Sequence, residues 1–254
     1  MATIMKNTRA RQFYLTFRFT QPAFTRAELL ILVAVLTLLV AITLPALAHN
    51  RPRSQRLICM NNLRQIGVAL QVWGNDHRDQ IPWHVEMADG GTKLHPLSGN
   101  TWYHFAWLSN ELASPRLVFC PSDTGRAARD FSGDPTGGYV HPNFRNQATS
   151  YFLNAHPYNS TFSGNQMIAG DRNIPMEPGS SGCSMLAAVS FTSECPPSSA
   201  FGWTNGLHNS NAGNLLMFDG QVEQVNNDEL RSAMDYGCRL RNGEGVWAHF
   251  AMPR

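Results

Sequence analysis

From Leu29 to Ala48 the chain carries no charged residue, and Thr37 and Thr43 supply the only side-chain hydroxyls in that run. Wound as an α-helix at about 1.5 Å per residue, such a run covers roughly 30 Å, the thickness of a bilayer's hydrocarbon core. A core helix of a soluble protein keeps a polar face, and this run has none, so a membrane span is expected. Lys6, Arg9, Arg11, Arg18 and Arg26 lie before the run, against Arg51, Arg53 and Arg56 beyond it. That bias favours a cytoplasmic N-terminus and an exported remainder. A cleavable secretory signal has a shorter apolar core, about 7 to 15 residues, ahead of a small-x-small site. "ALA" at 46–48 has that form, but the run before it is longer than that pattern. Pro45 near its far end marks a kink or a boundary without forbidding the span.

Glu28 borders this run and is the only acidic residue before Asp76. A carboxylate at the edge of hydrocarbon is costly unless paired, which makes it a functional candidate. The plainer alternative is an interfacial side chain paired with Arg26 or with lipid headgroups.

Helical signal continues beyond the run. Cys59, Leu63, Ile66, Leu70 and Trp73 recur at spacings of four, three, four and three, one stripe of an amphipathic helix ending near Gly74. With 254 residues, 43% of them hydrophobic, the chain has material for one globular head behind its apolar segment. A net charge of +2 gives no field that would select a nucleic acid, and none is expected as a partner.

Beyond residue 75 the texture is that of loops and short strands, with turn-rich stretches at 132–147 and 174–182. Strands are predicted at Leu117–Cys120, Ser150–Leu153, Met167–Gly170, Asn214–Phe218 and Gln221–Val225. The last two flank Asp219-Gly220, a two-residue hairpin signal, and Asp228 is placed to cap a short helix over "ELRSAM". The fold class is therefore α+β: a long N-terminal helix packed on a small antiparallel sheet with long loops.

Cys59, Cys120, Cys183, Cys195 and Cys238 lack the CxxC spacing of a zinc site. Outside the cytoplasm thiols tend to pair. Cys183 with Cys195 closes the shortest loop and is the preferred bridge; Cys59 with Cys120 is a second, leaving Cys238 over, and all five reduced is a third state. No HExxH, GxSxG, Walker or GxGxxG pattern is present, and no catalytic residue is assigned. His208 with Asp219, and Asp171 with Asp123, are pairs that the fold can bring together, yet no nucleophile, base and orienting group are fixed. For His208 the plain reading is a partly buried side chain hydrogen-bonded near the hairpin, the other a metal or ligand contact. Asp76 and Asp79 offer calcium-type oxygens but read as solvated turn residues, so no cofactor is expected and calcium is the single candidate. The six tryptophans are scattered, which suits core packing better than a sugar-binding platform.

The order Ala23, Phe24, Thr25, two residues, Glu28, Leu29, Leu30, then an apolar stretch ending in "LPAL", resembles the class III signal of type IV pilins and type II secretion pseudopilins. Further pieces resemble the pseudopilin-like subgroup with a C-terminal H-x9-DG motif: "CMNNLRQIGVAL" from Cys59, "FCPSD" at 119–123, "TSYFLN" at 149–154, "AGDRN" at 169–173 and "HNSNAGNLLMFDG" from His208. Here ten residues separate His208 from Asp219-Gly220, Ala23 stands where the family has Gly, and Arg26 where it has an uncharged residue.

The resemblance implies a leader at 1–23, a transmembrane helix at 24–49 and an extracytoplasmic pilin-like head at 50–254. It implies cleavage between Ala23 and Phe24 by a prepilin peptidase, methylation of Phe24, and an assembly role for Glu28 against the free amine of a neighbouring subunit. The motif His208, Asp219 and Gly220 comes with no known role. A single-pass protein of the bacterial inner membrane is implied, its partners being like subunits, the peptidase, an assembly platform and lipid. Three classes follow: a structural subunit of an envelope filament, a membrane-anchored ligand- or glycan-binding protein that does not polymerise, and a tethered hydrolase.

Overall fold

The structure is a computed structural model that describes residues 25–154, 166–174, 191–194, 201–208, 211–240 and 247–251. Its first helix, α1, runs Arg26–Asp76. The chain divides within α1, at His49/Asn50, into two units.

In the first unit the helix begins with reciprocal caps. The Thr25 N–H and Oγ1 both donate to Glu28 Oε2 at 2.8 Å, and the Glu28 N–H reaches back to Thr25 Oγ1 at 3.3 Å. This is a capping box, which satisfies backbone donors that a helix start otherwise leaves orphaned. Along the stem, Thr37 Oγ1 donates to the Val33 and Ala34 carbonyls and Thr43 Oγ1 to that of Val40. Both hydroxyls are thus spent inside the helix, and no polar group is presented to an apolar surrounding. Arg26–Leu44, 19 residues, is long and apolar enough to cross a membrane, and none of it is buried in the structure.

The second unit is built on a sheet with helices on both faces. Among the described residues six antiparallel strands, β1 (Tyr151–Asn154), β2 (Met167–Asp171), β3 (Phe191–Glu194), β4 (Ala212–Met217), β5 (Val222–Asn226) and β6 (Trp247–Ala251), stand in the order β3-β6-β1-β2-β4-β5. Alternation along β1, β2, β4 and β5 feeds two cores. Tyr151, Leu153, Ile168 and Leu216 pack with Cys59, Leu63, Ile66, Leu70 and Trp73, the predicted stripe of α1, all of it buried. Phe152, Met167, Leu215 and Val225 face the other way and pack with Leu230 and Met234 of α4 (Asn227–Leu240). At Gly67 the helix comes so close to β4 that an added Cβ would lie 2.9 Å from Leu216 Cδ1.

Between α1 and the sheet the chain forms turns and two short helices, α2 (Thr101–Trp107) and α3 (Ser109–Leu112). Trp83, Trp102, Phe105 and Leu108 bury here against the first core. Trp83 Nε1 donates to the Asn154 carbonyl at 3.0 Å, and Arg145 stacks over Trp102 at 4.5 Å.

Three local expectations are corrected. Leu117–Cys120 is not a strand: Ser114 accepts from the Arg116 N–H, Pro115 sets the first helical dihedral, and Pro115–Val118 winds as a 3-10 turn. The β4–β5 hairpin has a three-residue loop, not two. Gly220 N donates to Met217 O, Met217 N to Gln221 O, and Gly220 takes a left-handed φ of 85°. The extra residue is Phe218, which turns its ring into the core and its N–H to the Gln166 carbonyl. Finally, Asn226 caps α4 in place of Asp228: its Oδ1 accepts from the Asp228 and Glu229 N–H groups, and Glu229 returns a bond to the Asn226 N–H. Asp228 pairs with Arg231, and the helix is longer than "ELRSAM".

Candidate functional site

Two places in the structure concentrate chemistry. The first is the N-terminal end of α1, where one carboxylate, Glu28, stands on an exposed 19-residue apolar helix. Its partner is Thr25, not Arg26. Because the box needs only an acceptor at position 28, the negative charge is not required for the cap. The Thr-x-x-Glu spacing that signals this cap is legible in the sequence. Ala23 and Phe24 lie outside the described residues.

The second place is a buried polar centre where α1, the segment before β1, the end of β2 and the segment before β4 meet. Cys59 on α1 and Cys120 are bridged by a disulfide with Cα atoms 5.1 Å apart. His208, buried, sets its Nε2 3.9 Å from Cys120 Sγ and 3.2 Å from Asp171 Oδ2. Asn214 holds that carboxylate: its N–H and Nδ2 donate to Asp171 Oδ2 at 2.7 and 2.9 Å. Asp171 is fully buried, and its Oδ1 has no hydrogen-bond partner among the described residues.

Next to this centre, Asp123 accepts from Ser150 Oγ at 2.6 Å and from Arg172 at 2.7 Å, and Ser150 Oγ accepts from the Cys120 N–H. Tyr151 Oη donates to the Cys59 carbonyl at 3.4 Å. Burial, helped by the charge of Asp171, holds that phenol well above its usual range, so it stays neutral.

The sequence pairs are thereby re-sorted. His208 meets Asp171, while Asp219 is exposed and accepts from the Gln221 N–H at 2.9 Å. Asp171 and Asp123 bound the same region through different partners, Asn214 for one and Ser150 with Arg172 for the other. The bridge Cys59–Cys120 is present; Cys183 and Cys195 lie outside the described residues, as does the side chain of Cys238. Asp76 and Asp79 are both exposed at the end of α1. Asp76 lines an open pocket with His77, Arg78, Gln80, Val85 and Asp89. His77 is committed there, stacked on Trp73 at 3.6 Å with Nδ1 at 2.8 Å from the Trp73 carbonyl. Trp73, Trp83, Trp102 and Trp203 are buried, Trp107 is exposed beside Tyr103, and the side chain of Trp247 lies outside the described residues.

Asn214, Ser150 and Arg172 were not singled out by sequence reasoning. Each is an ordinary polar residue whose partner lies 27 to 49 positions away, so no local spacing announces it. No family model, no curated protein and no solved structure matches the chain.

Proposed function

We propose that the chain is a membrane-anchored structural subunit of an envelope filament, a pseudopilin of a type II-like secretion system or a type IV pilin-like protein. In this reading a prepilin peptidase cuts between Ala23 and Phe24, the head lies outside the inner membrane, and subunits assemble through their stems. One observation carries it: a single carboxylate, already held at the helix start by Thr25, sits on an exposed apolar stem and is the one acidic group between Arg26 and Leu44 that a neighbouring copy's amine can pair with. Two further features support it. The helix is committed to one head by its buried stripe, and on the stripe 58-61-65-68-72 it leaves Ile58, Val68 and Val72 exposed for stem-to-stem packing. Stem association in lipid draws on packing and charge pairing, since transfer out of water is already complete.

The capping box separates two roles of Glu28. Glu28→Gln keeps an acceptor for Thr25 and removes the charge, whereas Glu28→Ala removes both. Both variants should insert in the membrane, and both should lose filament assembly, read by shearing and immunoblotting against membrane-retained protein. Normal filaments from Glu28→Gln would overturn the charge-pairing role. The runner-up, an anchored ligand-binding protein that never polymerises, is favoured by Ala23 in place of Gly at the cut. It predicts an uncut leader.

A further inference from the structure

The buried centre around the Cys59–Cys120 bridge contains the donors of a metal site. Cys59 Sγ, Cys120 Sγ and a ring nitrogen of His208 all lie within 4.8 Å of one another, and all three residues are buried. A tetrahedral zinc ion, with bonds of about 2.0 to 2.3 Å, holds its ligand atoms roughly 3.3 to 3.8 Å apart. The His208 Nε2 to Asp171 Oδ2 separation of 3.2 Å and the His208 Nε2 to Cys120 Sγ separation of 3.9 Å are close to such edges. For an ion to enter, the two sulphurs must part and the Asp171 carboxylate must move toward them, both by side-chain rotation.

A second observation points to a ligand. Asp171 is fully buried, and its Oδ1 has no hydrogen-bond partner among the described residues. A buried carboxylate oxygen left in that state is costly, and a cation is the partner that suits it best. Asn214, with two donors on Oδ2, fixes the carboxylate as outer-shell partners of metal ligands do. The set of two sulphurs, one imidazole and one carboxylate selects a zinc-class cation over calcium or magnesium, which take all-oxygen shells.

We propose that Cys59, Cys120 and His208, with the Asp171 carboxylate as fourth donor, form a site for a zinc-class divalent cation that opens when a dithiol reduces the bridge. The proposal is independent of the filament reading. In the reductive step the disulfide gains two electrons and two protons and the dithiol is itself oxidised to a disulfide. In the binding step the two thiols release two protons as the cation takes both thiolates and the neutral His208 ring. Bridge and cation thus exclude each other: the oxidised chain is fastened covalently, the reduced chain by the ion.

The test uses the full chain in detergent micelles, reduced with a phosphine and probed with zinc or cobalt. Alkylation of each cysteine is followed by peptide mass spectrometry, and folding by circular dichroism. The expected result is that one equivalent of zinc slows alkylation of Cys59 and Cys120 together, and that cobalt gives a thiolate charge-transfer band. Both effects should vanish in the untreated, oxidised chain. His208→Gln should lose protection, Asp171→Asn should weaken binding, and Asn214→Ala, which removes a side-chain donor that fixes the carboxylate, should weaken it by about 10- to 100-fold. Should reduction unfold the chain, zinc should restore its folded signal. Alkylation of Cys59 and Cys120 unaffected by zinc, protection unchanged in His208→Gln, or an unfolded reduced chain that zinc does not rescue would each overturn the proposal.

Discussion

Removing the Cys59–Cys120 bridge should lower the stability of the head by about 4 kcal/mol. The bridge closes a loop with a sequence separation of 61 residues. Chain-entropy arithmetic for a loop of that size, about 2.1 plus 1.5R ln n in cal/mol/K, gives roughly 14 cal/mol/K, or about 4 kcal/mol at 25 °C. The loop runs from α1 through α2 and α3 to the segment before β1, so the bridge ties the helix stripe to the layer that buries Trp83 and Trp102. The perturbation is Cys59→Ala with Cys120→Ala, in the full chain held in a mild detergent. Both sulphurs are buried, so the loss of their packing adds to the effect. The assay is urea unfolding followed by tryptophan fluorescence, since Trp73, Trp83, Trp102 and Trp203 are all buried in the folded head. The midpoint should fall and the slope with urea should hold or rise, because the unbridged denatured chain is more expanded. At about 2 to 4 °C per kcal/mol for a head of this size, the melting temperature should drop by about 8 to 16 °C. A loss below about 1 kcal/mol would refute the reasoning, because the denatured loop would then not be a free chain that the bridge constrains.

Acid should weaken the head through His104, which is fully buried, with Nε2 donating to the Ser98 carbonyl at 2.7 Å and Nδ1 2.9 Å from Thr92 Oγ1. Burial pushes its pKa down from 6.5 to about 4; the hydrogen bond to the Ser98 carbonyl opposes this in part, and the nearby His95 adds a smaller push downward. The unfolded chain therefore binds a proton that the folded head refuses; stability is whole above pH 6.5 and is lost between 6.5 and 4, by about 2 kcal/mol at pH 5. A urea midpoint flat from pH 7.5 to pH 5 would contradict this. At Gly67 two effects oppose each other: alanine gains up to about 1 kcal/mol of helix propensity, but its Cβ meets Leu216 Cδ1 at 2.9 Å. Gly67→Ala should change little in the native background and should stabilise the Leu216→Val variant, measured by the same unfolding; equal effects in both backgrounds would show that the contact is unimportant.

The elements legible in the sequence were those whose cause is local. The apolar run has no charge to interrupt it, and the stripe from Cys59 to Trp73 repeats at helical spacing, so both announce themselves within one segment. Adjacent apolar runs around Gly220 likewise announce a hairpin, although burial of Phe218 lengthened its loop. The capping of α4 misled because Asn226 and Asp228 are both good cap residues, and the reciprocal bond from Glu229 decides between them. Ser114-Pro115 overrode an apolar run that otherwise reads as strand.

The buried centre was beyond local reading. It joins Cys59, Cys120, Asp171, His208 and Asn214 from four separate segments, and a hydrogen bond between residues 43 positions apart leaves no periodic trace. His208 and Asp219 are near each other in the chain, which made them the natural pair; the direction of β4 carries Asp219 to an exposed turn and leaves His208 against Asp171.

The most direct test of the filament-subunit reading is mass spectrometry of the N-terminal peptide of protein taken from native membranes. The account predicts a chain that begins at Phe24 with a methylated amine and retains Glu28 and the whole apolar stem. An intact Met1, or a chain that begins near Asn50 because the stem has been removed, would contradict it.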